Sequence, residues 1–270
     1  MRPRLVALAL LVVGTTLLAA CASTKRPTLS AASSSSSSSS VAKPQTTQTT
    51  LPTTCAKVDT GQSLVATAAQ VGPLAIYANP GDPTPSQTMN NPYLINNSPK
   101  APVPLTYLVK DFPPAQSCQW LDVYLPIRPD GATGWVKASD VTVAPNPWRL
   151  EADLAEFTLK VFKNGAQTDS IKIGVAKANT PTPGGVYYLT ELIKTPNPNG
   201  DYGPYAYGLS GYSNALTSFN GGPGQLGIHG TNEPQLIGTQ VSHGCIRMNN
   251  ADITRLAGEL PLGTPVQINA

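Results

Sequence analysis

Val241-Ser242-His243-Gly244-Cys245-Ile246-Arg247-Met248, with Ile228-His229-Gly230-Thr231 shortly before it, decides how the rest of the chain is read. The two stretches hold both histidines of the protein and one of its four cysteines. If residues 241–247 are extended, alternation sets His243, Cys245 and Arg247 on one face and Ser242, Gly244 and Ile246 on the other. One face then offers an imidazole, a thiol and a guanidinium. A thiolate is the reactive form of cysteine, and a neighbouring cation lowers the thiol pKa. An imidazole can take the thiol proton and hand it to a leaving amine. The backbone N–H groups of Gly244 and Cys245 suit an oxyanion, since glycine permits close approach. Arg247 can hold a carboxylate through two hydrogen bonds. The pattern predicts acyl transfer at an amide near a free carboxylate, and spacing alone makes His243 the base. Two blander readings stand beside it. Two His and one Cys could bind zinc, but only three ligands are evident and His-x-Cys is not a usual zinc spacing. The thiol could also be a buried structural cysteine among core histidines.

Upstream, Phe157, Leu159 and Val161 alternate with polar residues, as do Ile171, Ile173 and Val175 beyond Asn164-Gly165. That is a hairpin signal with a type I′ turn. Gly185 to Thr190 reads as another strand, and Pro196 to Gly224 as one long loop, functional or mobile. Asn249 or Asn250 can cap a short helix with Ile253, Leu256 and Leu260 on one side. Thr264 to Ile268 closes the segment as a strand. The class is mainly β, with one or two short helices.

The middle of the chain, residues 55–145, reads as a separate small β domain. Short apolar pieces at Pro73–Tyr77, Val103–Val109, Trp120–Leu125 and Gly134–Lys137 lie between turn clusters such as Asn79-Pro80-Gly81-Asp82-Pro83 and Pro129-Asp130-Gly131. Trp120–Leu125 alternates like a half-buried strand.

The first 54 residues carry five bases and no acid, so the +3 net charge belongs there and the remainder is slightly acidic. Arg2 and Arg4 precede the apolar run Leu5–Leu18, which reads as an export signal over residues 1–20. Its end, Leu18-Ala19-Ala20-Cys21, resembles the lipobox of bacterial lipoproteins, which implies lipidation of Cys21 and anchoring to the membrane. Residues 21–54 then form a Ser/Thr-rich tether with little to bury, spanning roughly 30 Å as a flexible coil. The folded part is thus expected to work in the cell envelope, away from the membrane surface. Outside the cytoplasm disulfides persist. Cys55 and Cys118 can pair, closing a loop that stabilises by about 4 kcal/mol in the chain-entropy model. Cys245 is then the free thiol.

Charged residues make up 12% of the chain, and Pro and Gly together 50 of 270. Coiled coils and long helical bundles are excluded by that composition. No dense Lys/Arg cluster exists, which argues against a nucleic-acid partner.

The signature Ser-His-Gly-Cys-Ile-Arg-Met at 242–248, preceded by Ile-His-Gly-Thr at 228–231, resembles the catalytic domain of the L,D-transpeptidases (YkuD-like) over residues 147–270. Val186-Tyr187-Tyr188 after Thr182-Pro183-Gly184-Gly185 resembles it too. The Trp-containing strand and Gly134-Trp135-Val136 of the middle segment resemble bacterial SH3-like domains. The first resemblance implies Cys245 as nucleophile and His229, rather than His243, as its partner, oriented by the carbonyl of Gly230. His243 is implied to shape the oxyanion site with Gly244. Arg247 is implied to hold a substrate carboxylate, with Ser242 and the loop tyrosines Tyr202, Tyr205 and Tyr207 as further candidate substrate contacts. The implied reaction passes through a thioester on a peptidoglycan tetrapeptide stem. D-Ala leaves, and transfer to the side-chain amine of another stem gives a 3→3 cross-link. No metal or organic cofactor is required, and carbapenem β-lactams are expected to acylate Cys245. Hydrolysis of the same thioester would make the protein an L,D-carboxypeptidase. A non-catalytic wall-binding lipoprotein is the alternative from another class.

Overall fold

The computed structural model describes residues 59–94, 102–111, 118–219 and 221–270. The export signal, the tether, Cys21 and Cys55 lie outside them. Nine strands precede residue 147: β1 (Ser63–Ala68), β2 (Gly72–Ile76), β3 (Gln87–Asn91), β4 (Tyr93–Leu94), β5 (Pro102–Val103), β6 (Thr106–Asp111), β7 (Trp120–Tyr124), β8 (Thr133–Lys137) and β9 (Val141–Asn146). Five form an antiparallel sheet in the order β8-β7-β6-β1-β9. The β2–β3 hairpin joins it through the bridge between Tyr77 and Trp135. The turn cluster at 79–83 connects that hairpin, with the Asn79 N–H donating to Asp82 Oδ2 at 2.9 Å.

The strand expected to be half-buried, β7, is covered on both faces. Leu121 and Val123 enter the core of this sheet. On the other side Trp120 meets Tyr77 edge-on at 5.0 Å, and Asp122 pairs with Lys110 at 3.2 Å. The sequence alternation is real, but its polar face is also occupied.

The second half contains β10 (Trp148–Asp153), β11 (Thr158–Lys163), β12 (Ala166–Lys172), β13 (Val175–Ala176), β14 (Gly185–Lys194), β15 (Tyr205–Tyr212), β16 (Gln225–His229), β17 (Gln240–Ser242), β18 (Ile246–Arg247), α1 (Asn250–Glu259) and β19 (Pro265–Asn269). Eight strands make one mixed sheet, β12-β11-β10-β19-β14-β15-β16-β18. The hairpin β11–β12 turns at Asn164-Gly165, both at positive φ, as a type I′ turn requires. Helix α1 buries Ile253 and Leu256 against the sheet. The long loop expected over 196–224 is instead divided by β15. Its Tyr-Ala-Tyr-Gly-Leu-Ser-Gly-Tyr run is rich in aromatics, which favour strands, and poor in charge.

Strand β14 unites the two halves. Successive side chains on a strand point to opposite faces. Tyr187 enters the core of the second half, whereas the adjacent Tyr188 is fully buried in the core of the first. The Tyr188 hydroxyl donates to the carbonyl of Tyr124 at 3.2 Å. Nearby, the buried Asn146 amide donates to Thr264 Oγ1 at 3.1 Å. Among the described residues no helix is long and apolar enough to cross a membrane. Because Tyr188 fills the neighbouring core, Tyr188→Ala should cost about 3–5 kcal/mol. Calorimetry on the parent should show one transition, lowered in the variant. Two separate transitions, with only one of them moved, would show that the halves unfold independently.

Candidate active site

His229 ends β16, and the parallel pairing of β16 with β18 sets it opposite Arg247. Its Nδ1 lies 2.6 Å from the carbonyl oxygen of Gly230. A carbonyl only accepts, so Nδ1 carries the proton and Nε2 keeps its lone pair for a partner. The Gly230 peptide is steadied by Asn250, whose Oδ1 accepts from the N–H of Thr231 at 2.8 Å. Asn250 thus serves the site rather than the helix. Asn249 is the N-cap residue, and its side chain makes no capping hydrogen bond. Burial draws His229 down to about 4, Arg247 adds to the effect, and the Gly230 hydrogen bond opposes it. The imidazole is therefore neutral near pH 7.

Residues 241–247 are not one extended strand. β17 ends at Ser242 and β18 begins at Ile246, in different sheets. Between them Gly244 has φ +131°, a conformation L side chains rarely adopt, so the chain turns there and strand alternation fails. The turn is braced from within. The Ser242 hydroxyl donates to the Cys245 carbonyl and accepts from the Gly244 N–H at 3.3 Å. The Thr182 hydroxyl donates to the Gly244 carbonyl at 2.8 Å. Ser242, a candidate substrate contact, has its hydroxyl committed to this turn.

Despite the broken strand, His243, Cys245, Arg247 and His229 line one cavity of about 150 Å³. His243 is exposed and stacks on Phe219 at 5.7 Å, with 29° between the rings. The Arg247 guanidinium pairs with Glu233 at 3.2 Å, and its Nε is buried without a hydrogen-bond partner. Burial pushes the Cys245 thiol up, while a backbone hydrogen bond at Gly227 and the Arg247 charge pull it back. Cys245 is the free thiol among the described residues. Burial thus favours a protonated thiol and a neutral imidazole in one cavity, against the lowering that a neighbouring cation alone would give. Such a pair can deprotonate the thiol as it attacks.

The three tyrosines part company. Tyr202 lies tilted against the His229 ring at 4.7 Å and lines the cavity. Tyr205 is half-buried against the core. The Tyr207 hydroxyl donates to the carbonyls of Leu256 and Leu260, each at 3.0 Å, tying β15 to α1. No group of three His, Cys, Asp or Glu among the described residues is placed to hold a metal.

Residues 147–268 match the YkuD family, the L,D-transpeptidase catalytic domain. The YkuD proteins of Bacillus licheniformis and Bacillus subtilis, which carry an L,D-transpeptidase name, are each 37% identical to this chain over 122 and 123 residues. Those matches span 45% and 46% of this chain and 66% of each relative, just under two thirds. An L,D-transpeptidase structure from Mycobacterium tuberculosis H37Rv covers 61% of this chain and 90% of its own at 14% identity, with a TM-score of 0.41.

The rim of the cavity is held from outside residues 147–268. Ser213, Leu216 and Gly224 line the cavity, and Phe219 covers His243. The Arg128 guanidinium, from the β7–β8 turn of the first half, donates to three carbonyls of this segment: Ser213 at 3.0 Å, Pro223 at 2.9 Å and Leu216 at 3.4 Å. Two residues on, Asp130 accepts from the Tyr212 N–H at 2.8 Å and the Tyr187 hydroxyl at 3.3 Å. Sequence reading saw only a turn at Pro129-Asp130-Gly131. The partners of Arg128 are backbone carbonyls about 90 residues away, which leave no residue-type signature.

Two outcomes follow from this geometry. Protonation of His229, the base that the sequence resemblance implies, is deferred from the ordinary pKa of about 6.5 to about 4. Carbapenem acylation of Cys245, followed by intact mass, should therefore hold level down to about pH 5 and fall below it. An acid limb centred near pH 6.5 would show the imidazole to be water-exposed in the working protein. Arg128→Ala should lower kcat/KM about tenfold with the free-thiol count unchanged. Arg128→Lys should not rescue it, because an ammonium is a point charge and cannot span three carbonyls in a plane. Wild-type kinetics in both variants would leave the clamp without a role.

Proposed function

We propose that the chain is a peptidoglycan L,D-transpeptidase using Cys245 as nucleophile. The observation that carries this is His229, its Nδ1 tied to the Gly230 carbonyl and its other nitrogen left for a partner, in one cavity with the free thiol of Cys245 and with Arg247. In the first step His229 Nε2 takes the Cys245 proton as sulfur bonds to the carbonyl carbon of the third stem residue. The C–N bond to the terminal D-Ala breaks, and its amine leaves with that proton. In the second, the side-chain amine of another stem bonds to the thioester carbon. The C–S bond breaks, and the amine's proton returns to sulfur through His229. Arg247, with an unpartnered buried Nε, is the group to hold the stem carboxylate. His243 and the N–H groups of the 243–245 turn face the developing oxyanion, with Gly244 exchanging its long bond to Ser242 for it.

The remainder of the reading concerns placement. Cys21 carries lipid, the Ser/Thr-rich tether crosses to the wall, and the first half is an SH3-like module that supports the catalytic domain. Its five-stranded antiparallel sheet and the Arg128 contacts support that role. A Cys55–Cys118 disulfide is supported by Cys245, and not Cys118, being the free thiol among the described residues.

The test is incubation with disaccharide-tetrapeptide and mass analysis of products and protein. A cross-linked dimer less one D-Ala is expected, absent with Cys245→Ala. Tripeptide alone would identify an L,D-carboxypeptidase, and no turnover would leave a wall-binding protein. The non-reduced intact mass of protein from membranes should also show the lipid increment on Cys21 and the loss of two hydrogens for one disulfide.

A further inference from the structure

A second cavity, of about 730 Å³, also reaches Cys245 and His229, and it is lined by Glu191 where the first is lined by Arg247. The strand register builds its floor. Glu191 on β14 stands opposite Gly208 on β15, and Gly208 stands opposite Gly227 on β16. Residues paired across neighbouring strands share a face, so the three form a row across the sheet. A Cβ on Gly208 would lie 2.0 Å from the Glu191 carboxylate, and one on Gly227 would lie 3.9 Å from the Cys245 sulfur. Two residues without side chains therefore separate acid from thiol. With paired Cβ positions about 5 Å apart, the carboxylate lies within about 11 Å of sulfur.

Glu191 is only 2% exposed, and its bonding partners, the Thr190 hydroxyl at 2.5 Å and the Gln225 amide, are neutral. Buried carboxylates are almost always matched by a cation. No lysine or arginine is among the residues lining this cavity, and its other acid, Asp201, is exposed. The thiol thus lies in two cavities whose buried charges differ in sign, the Arg247 guanidinium in one and the Glu191 carboxylate in the other.

We propose that Glu191 binds the cationic side-chain amine of the acceptor stem over the Gly208–Gly227 floor, from where the ammonium gives one proton to solvent and the neutral amine goes on to the thioester. The proposal rests on the transpeptidase reading above. The donor presents a carboxylate and the acceptor an ammonium, so the two charges give each substrate its own group to bind near one sulfur. Burial raises the Glu191 carboxyl to about 6, leaving it mostly ionised near neutral pH and ready for a cation.

Glu191→Gln keeps size and hydrogen-bonding capacity but removes the charge. With tetrapeptide donor and a lysine-bearing tripeptide acceptor, the acceptor KM should rise at least tenfold, and products should shift from cross-link toward hydrolysed tripeptide. A second arm needs no variant. By titration calorimetry without donor, the lysine tripeptide should bind the wild-type protein at least tenfold more tightly than its norleucine counterpart. Equal binding of the two would overturn the proposal. So would a Glu191→Gln protein in which carbapenem acylation and cross-linking fall by the same factor, since Glu191 would then be structural. Discrimination lost in Asp201→Asn but kept in Glu191→Gln would place cation binding at the mouth and overturn it as well. Failure of the wild type to form any thioester is a different result, against the transpeptidase reading itself, and the calorimetric arm is read regardless of it.

Discussion

From Tyr187 to Glu191, strand β14 is buried on both faces, and most of the molecule is arranged around that constraint. A strand covered on two sides must satisfy two cores at once. Tyr187 and Tyr188 divide that task between them, and Glu191 reaches the cavity beside Cys245 a few residues later. The sheet behind Cys245 and the core of the preceding sheet are therefore built on one segment of chain. Displacement of β14 toward either side would open a void in the other, because packed cores do not deform continuously.

Within the site, backbone groups provide much of the positioning. His229 is oriented by a carbonyl, the Cys245 turn by hydroxyls on the carbonyls of Gly244 and Cys245, and the outer rim by three more carbonyls on Arg128. A main-chain carbonyl exists whatever side chain is attached to it. The geometry thus depends on the strand register that brings these carbonyls together, above all the parallel pairing of β16 with β18.

Legibility in sequence followed the range of the interaction. The Asn164-Gly165 hairpin and the helix carrying Ile253 and Leu256 are local patterns, and both were readable. The cysteine, the two histidines and Arg247 were identifiable by type and spacing. Strand alternation failed at 243–245 because Gly244 turns the chain, and the four groups converge through sheet topology instead. The β15 strand was hidden in glycine- and tyrosine-rich sequence that resembles loop. Arg128 and Glu191 were illegible for a further reason. One acts on backbone carbonyls and the other across glycines, so neither has a side-chain partner of opposite charge to betray it.

The raised Cys245 thiol has a consequence for its chemical survival. Peroxides and other oxidants attack the thiolate, carrying it to sulfenic acid and, beyond that, to states that no thiol can reverse. A cysteine held permanently as thiolate by an ion-pair partner would be exposed to that loss between turnovers. Here burial favours the protonated sulfur and holds the His229 imidazole uncharged near neutral pH. The sulfur is then a slower target for oxidants than a standing thiolate.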